Sequence, residues 1–419
     1  MSRLVLEVIS PTPPYMVAEQ RGESNMTSPG LFFFLGSVVV FFILLIILFV
    51  LWKFVKFPHL RALVDRVKKP PAREDFLGGN TISHFDFQTL KKATKNFHPS
   101  NLLGRGGFGP VFLGMLADGR LTAVKKLSAD KSQQGETEFL SEVKLITSIQ
   151  HKNLVRLLGC CSDGAQRLLV YEYMKNRSLD LLIYGKSDVF LDWNTRFQII
   201  LGVARGLQYL HEDSHIRIVH RDIKASNILL DDKFLPKIGD FGLARFFPED
   251  QAYLSTNFAG TLGYTAPEYA IRGELSEKAD IYSFGVLVLE IISCRKNTDL
   301  TLPSEMQYLP EYAWRLYERS KLMELVDPKL RENEFPEKDV LHTILVAFLC
   351  LQPHANVRPP MSEIVARLTC KVEVGEIPMR PAFLDRKRRV QDKLSWDTIS
   401  EAFPSPLRSS SPSLSQPAK

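Results

Sequence analysis

The chain has 419 residues, 45% of them hydrophobic and 24% charged, with a formal net charge of +6. That length has room for about two or three compact units, the composition is that of a globular protein, and so modest a charge gives no reason to expect a nucleic-acid partner. Five cysteines (Cys160, Cys161, Cys294, Cys350 and Cys370) stand in odd number and without C-x-x-C spacing. They indicate neither a disulfide framework nor a zinc site, and reduced, mostly buried thiols are expected.

Residues 31–52 read LFFFLGSVVVFFILLIILFVLW and carry no charge. As a helix the run reaches about 33 Å, the thickness of a bilayer's hydrocarbon core. It is too long for the apolar core of a cleaved leader, and Trp52-Lys53-Phe54-Val55-Lys56 stands where a cleavage site would be. A single transmembrane helix is therefore expected, with residues 1–30 as a short extracytoplasmic segment. Lys53, Lys56, Arg61, Arg66, Lys68, Lys69 and Arg73 follow the run, against Arg3 and Arg21 before it. The positive-inside tendency places the C-terminal bulk in the cytosol. Asn25-Met26-Thr27 matches an N-glycosylation acceptor on the outer side. Residues 53–96 read as a basic juxtamembrane linker, marked by Pro70-Pro71 and Gly78-Gly79-Asn80. It is either a solvated linker or one drawn to anionic lipid.

From Phe85 to about Lys371 the chain reads as continuously globular, with no internal repeat; its first part is rich in short β-type runs, with one helical pattern, ETEFLSEVKLITSIQ, among them. Gly104-Arg105-Gly106-Gly107-Phe108-Gly109, with Val111 just beyond, gives G-x-G-x-x-G. Pro110 and VFLGML continue as a strand, so the glycines sit in a hairpin and not ahead of a helix. Such a hairpin lays backbone over nucleotide phosphates, where side chains would block the approach. Lys125 in TAVKKL lies on the next strand, with Glu142 in the helical pattern as its counter-charge; Lys126 is the competing lysine, but the A-V-K order favours Lys125. An ion pair there would hold the ammonium toward the phosphates.

After about residue 175 the pattern changes to long amphipathic helices. The segment HRDIKASNILLDDKFLPKIGDFG carries His220-Arg221-Asp222, then Lys224, Asn227 and Asp240-Phe241-Gly242. This set suits phosphoryl transfer. Asp222 can align a hydroxyl and accept its proton, and Asn227 and Asp240 offer hard oxygens to Mg2+, or to Mn2+. Lys224 can offset charge developing on the transferred group.

With these motifs in order, residues 97 to about 371 resemble a eukaryotic protein kinase. Ala266-Pro267-Glu268 closes the activation segment, Asp280 opens the IYSFGV helix, and Arg358 is placed to pair with Glu268. More narrowly, FDFQTLKKATKNF, HKNLVRLLGCC, LLVYEYMKNRSLD and GTLGYTAPEYA resemble plant receptor-like kinases, above all the cysteine-rich receptor-like group. The resemblance implies an α+β, bilobal fold, with a β-rich N-lobe at about 97–174 and a helical C-lobe at about 175–371. It makes Tyr171 the gatekeeper, Glu172 to Met174 the hinge that meets adenine, and Ala123 part of the ATP site. Lys224 with Thr261 points to serine/threonine specificity. Arg221 beside Asp222 suggests activation-loop phosphorylation, with Ser255 and Thr256 as candidates or as plain solvated hydroxyls. Asn257 stands where relatives commonly carry arginine.

Residues 372–419, with Arg386-Lys387-Arg388-Arg389 and a Ser/Pro-rich end, lack the apolar content to pack and are expected to be disordered. The implied activity is transfer of the ATP γ-phosphate to cytosolic proteins and to the chain itself at a membrane, the plasma membrane for choice. A scaffold without chemistry would usually lack one of the catalytic groups, and none is missing. No cysteine precedes the apolar run, so a cysteine-bearing outer module like that of the cysteine-rich group is not expected here: the chain is either a truncated product or one that works with a separate receptor or co-receptor.

Overall fold

The computed structural model describes residues 82–106, 109–127, 142–164, 166–185, 189–248, 251–257, 259–333, 335–370 and 378–380. The chain divides into two compact units, Met1–Asn80 and Thr81–Lys419, of which the first lies outside the described residues. So do the apolar run 31–52, Asn25, Gly107, Phe108 and most of the expected tail. Among the described residues no helix is long and apolar enough to cross a membrane.

Among the described residues, the N-terminal part of the domain carries one sheet of six strands in the order β1-β5-β6-β4-β3-β2. They are β1 Ser83–His84, β2 Leu102–Gly106, β3 Gly109–Met115, β4 Leu121–Lys126, β5 Leu157–Asp163 and β6 Gln166–Glu172. All pair antiparallel except β1 with β5. Register decides which side chains meet: Val111 lies opposite Lys125 and Ala123 opposite Tyr171. Opposed residues share a face, as do residues two apart on a strand. Val111, Ala123, Lys125 and Tyr171 therefore share one face, and Val124, Lys126, Leu168 and Val170 the other.

That other face has its own small core of Leu90, Val124, Cys161, Leu168 and Val170. Its lid comes from residues expected in the linker. The helix Phe87–Ala93, capped by Asp86 accepting from the Thr89 amide, lays Leu90 onto the sheet with none of that residue exposed. Burying such a leucine contributes about 1.5–3 kcal/mol. FDFQTLKKA, ahead of the domain boundary expected at 97 but within the stretch expected to be globular from Phe85, offers a short apolar face that finds its partner in the sheet. β1 fits beside β5 because position 159 is glycine. A Cβ there would stand 2.1 Å from the Ser83 carbonyl oxygen and 2.4 Å from the Phe85 ring.

The C-terminal half is helical. The helix Glu277–Ser293 is buried along almost its whole length and starts at Ser276, whose hydroxyl accepts from the Lys278 amide. An α-helix apolar on all sides belongs at the centre of a core, and this one is packed by the helices Trp193–Gln208 and Glu337–Cys350. On Trp193–Gln208, Gly202 and Gly206 let Pro236 and Ile238 come close, and a Cβ on Gly202 would lie 2.4 Å from Pro236 Cγ. That close approach seats the antiparallel pair Ile228–Leu230 and Pro236–Ile238, whose ends carry Asn227 and Asp240. The last helix among the described residues is Met361–Cys370. Within the expected tail, Met379 docks, its amide donating to Gln352 Oε1 at 3.0 Å. All five cysteines are free thiols.

Candidate active site

A cleft of about 660 Å3 separates the sheet from the helical half, within the range of small-molecule sites. It is lined by Gly104, Arg105, Gly106, Gly109, Val111, Ala123, Lys125, Tyr171, Glu172, Met174, Asp222, Lys224, Asn227, Asp240 and Thr261. Every described ATP-site, catalytic and metal candidate from the sequence thus borders one cavity, apart from Glu142, which sits behind Lys125. Sequence reading missed the apolar residues Leu103, Val155, Leu229 and Leu243, which also line it. Leu229 carried a usable signal, being two residues past Asn227 on a strand and so on the same face.

Of the two adjacent lysines, Lys125 lines the cleft and Lys126 does not. Its Nζ lies 3.0 Å from Glu142 Oε1 and 2.9 Å from Asp240 Oδ1. Lys126, on the outer face, places its Nζ 5.0 Å from the centre of the Phe97 ring. Residues 142–147 are helical, which carries Glu142 to the inner face of the sheet. Burial alone would lower the Lys125 pKa, but Glu142 and Asp240 outweigh it and raise it above its ordinary value. Burial likewise opposes ionisation of Asp240, and the Lys125 ammonium still holds its carboxyl below the ordinary value. Tyr171, the gatekeeper that the resemblance implies, donates to Glu142 Oε1 at 2.8 Å and so fixes the glutamate. Burial, with Glu142 adding to it, pushes the Tyr171 phenol well above its ordinary pKa.

Around Asp222 the bonds close on themselves. Thr261 donates to Asp222 Oδ1 at 2.8 Å, Lys224 Nζ donates to Thr261 Oγ1 at 2.9 Å, and Lys224 Nζ lies 2.7 Å from Asp222 Oδ2. Asn227 Nδ2 donates to the Asp222 carbonyl at 2.8 Å and to Oδ2 at 3.0 Å. A carboxylate has about four lone-pair sites, so three partners leave room for one incoming hydroxyl. The loop itself is hung from Asp280, whose carboxylate accepts the His220 amide at 2.7 Å and the Arg221 amide at 2.8 Å. Burial would raise the Asp280 pKa, but His211 and the other donors hold it below the ordinary value. Arg221 and Asp240 both have left-handed backbones, φ 72° and 61°. Such conformations persist where the surroundings over-determine them.

Asn227 and Asp240 suit a magnesium ion in their donor chemistry. Asn227 uses its amide NH2 toward Asp222 and so presents its oxygen, while Asp240 Oδ2 is 3.6 Å from where a Cβ on Gly106 would stand. Two protein oxygens beneath a glycine hairpin match how Mg2+ is held beside nucleotide phosphates. Among the described residues no cluster of three or more His, Cys, Asp or Glu could hold a metal alone.

The activation segment divides into parts near and far from this centre. Thr261 is in the cleft; Ser255 and Thr256 are not. Leu254–Ser255 pairs with Glu274–Leu275, and the Thr256 amide donates to the Gly273 carbonyl at 3.1 Å. The expected pair of Glu268 and Arg358 is bidentate, at 2.6 and 2.8 Å, and almost wholly buried.

A buried lysine–glutamate pair, an aspartate beside a lysine and an amide, and a glycine hairpin over a second aspartate together define the nucleotide cleft of a protein kinase. The family model described as protein tyrosine and serine/threonine kinase matches residues 97–368, and the chain belongs to that family. It is similar to a probable LRR receptor-like serine/threonine-protein kinase of Arabidopsis thaliana, 49% identical over 320 residues, which are 76% of this chain and 31% of that one. Cold-responsive protein kinase 1 from the same plant is 48% identical over 299 residues, 70% of this chain and 76% of the relative. Cysteine-rich receptor-like protein kinase 6, also from Arabidopsis thaliana, is 47% identical over 326 residues, 77% of this chain and 48% of the relative. The chain spans about a third of the length of the LRR receptor-like relatives.

Proposed function

We propose that the chain is a receptor-like serine/threonine protein kinase, passing the γ-phosphate of ATP to serine or threonine hydroxyls of cytosolic proteins and of itself. The observation that carries this is the closed triangle of Asp222, Lys224 and Thr261 at the mouth of the cleft. The open lone pair of Asp222 aligns the acceptor hydroxyl and takes its proton. Lys224 stands where charge develops on the transferred group. Lys125, fixed by Glu142, holds the α and β phosphates, and Glu172 to Met174 border the adenine end. Asn227 and Asp240 would hold Mg2+, which would supply positive charge to the phosphate oxygens. The uncharged run 31–52 and the basic residues behind it support anchoring at a membrane with this domain in the cytosol. The likeness to receptor-like kinases supports a receptor or co-receptor as its partner.

Phosphate incorporation from MgATP into the protein and into added peptides, beside Asp222→Asn and Lys125→Met, tests the activity. Incorporation well above both variants supports the reading; incorporation equal to theirs, with manganese as well as magnesium, overturns it. Protease treatment of sealed membrane vesicles tests the anchoring. Digestion of the kinase domain from the cytosolic face is expected, and its protection would reverse the orientation.

A further inference from the structure

An arginine immediately before the catalytic aspartate suggests a phosphate partner in the activation loop, but Arg221 has another partner here. A guanidinium has five N–H donors. Its Nε donates to the Tyr269 hydroxyl at 3.0 Å, and Nη2 reaches the same oxygen. Nη1 donates to the Leu243 carbonyl at 3.3 Å and Nη2 also to the Asn257 carbonyl at 3.2 Å. The side-chain fork that would grip a phosphate oxygen grips a tyrosine oxygen.

We propose that Tyr269 is a positioning residue for phosphoryl transfer: its hydroxyl stands in for a loop phosphate on Arg221 and holds the catalytic loop in working order without phosphorylation. The reading rests on the kinase activity proposed above. Tyr269 lies on the helix Pro267–Arg272 and is 2% exposed. Its oxygen also accepts the Ala259 amide at 3.0 Å and lies 3.4 Å from the Asn257 carbonyl. One hydroxyl therefore ties the catalytic loop, through Arg221, to the activation segment on both sides of position 258. Through Nη1 of the same guanidinium it also reaches the stretch following Asp240. Arg221 is left-handed and adjoins Asp222, so loosening its side chain frees the residue whose backbone sets the aspartate's direction. Ser255 and Thr256 are bound instead to the strand Glu274–Leu275 and to Gly273. Among the described residues the acceptors of the guanidinium are a hydroxyl and carbonyls and none is an anion. A phosphate brought to it would bind more strongly and could replace the tyrosine.

The test measures kcat and the KM values for ATP and peptide on the full chain, after phosphatase treatment and after autophosphorylation. Dephosphorylated wild type, and a Ser255→Ala/Thr256→Ala double variant, are expected within about threefold of the phosphorylated enzyme. Dephosphorylated Tyr269→Phe is expected to lose about tenfold or more in kcat, as for a lost hydrogen bond to a charged group. Its KM for ATP should stay unchanged, and phosphorylation should restore its kcat. Phenylalanine fills the same space, and faster hydrogen exchange at the Ala259 amide reports the lost hydroxyl independently of activity. Equal loss in both phosphorylation states would mark a merely structural role and overturn the proposal. So would wild type that is as inactive as Tyr269→Phe until phosphorylated. If phosphorylated wild type does not exceed Asp222→Asn, the kinase reading itself has failed; activity indifferent to Tyr269 sinks only the positioning role.

Discussion

Thr261 donates its hydroxyl to Asp222 Oδ1 at 2.8 Å while accepting the ammonium of Lys224 at 2.9 Å. It holds both groups at the acceptor site without belonging to the catalytic loop. Thr261→Ala should lower kcat about tenfold to a hundredfold, the worth of hydrogen bonds to charged groups, with KM for ATP little changed. Thr261→Ser should recover most of the loss. Steady-state kinetics on one peptide decides it, and a rise confined to the KM for ATP would contradict the assignment.

Arg358 is 1% exposed and grips Glu268 with two bonds, while Nε and Nη1 also donate to the Gln352 and Lys278 carbonyls at 2.8 Å each. Removing one partner of such a pair leaves a buried charge alone, at about 3–5 kcal/mol. Arg358→Ala should lose stability on that scale in denaturant unfolding. Arg358→Lys should recover little, because an ammonium cannot make the two parallel bonds. A loss below about 1 kcal/mol for either variant would show the pair to be dispensable.

Glu290 is a buried carboxyl of the central helix. It accepts the Tyr264 hydroxyl at 2.6 Å and the Asn297 amide at 2.7 Å. Burial raises its pKa from 4.5 to about 7 despite those donors. Because the folded pKa lies above the unfolded one, its contribution is fully present below about pH 4.5 and is lost as pH rises through about 7. Over that window the loss reaches about 3 kcal/mol. Glu290→Gln, which keeps the neutral form at every pH, should gain stability relative to wild type between pH 5.5 and 8. Unfolding curves at the two pH values should diverge in that sense, and parallel curves would refute it.

At Gly159 a Cβ would strike the Ser83 carbonyl and the Phe85 ring. Gly159→Ala should therefore release β1 and loosen the helix Phe87–Ala93, at a cost of about 1–3 kcal/mol. Hydrogen exchange should rise selectively across residues 83–93 while the amides of β4 and β6 keep their protection. Uniform exchange through the whole sheet would mean that β1 is not the yielding part.

Much of the site was legible because its chemistry is bound to motif order: Asp222, Lys224, Asn227 and Asp240 lie within one short segment. Lys125 could be preferred to Lys126 on its A-V-K setting, and the face it occupies shows why. What escaped depended on partners distant in sequence. Nothing near Arg221 announces Tyr269, nor does anything near Glu142 announce Tyr171, since both bonds join separately folded segments. The apolar lining of the cleft escaped for another reason, because its residues look like any other core positions. The sequence makes the chain globular from Phe85, but not the packing of Leu90 on the sheet, because so short an apolar pattern has no strength without the sheet beneath it.

The small core on the outer face of the sheet sets where this protein can be cut. Leu90 closes over Val124, Cys161, Leu168 and Val170, yet it lies ahead of the family match, which begins at residue 97. A chain trimmed to the family boundary would keep every catalytic group and bare an oily patch on the back of its smaller lobe. Such a fragment would tend to clump or misbehave in solution for reasons unrelated to phosphoryl transfer. The packed unit thus starts further forward than the family match, which begins at residue 97.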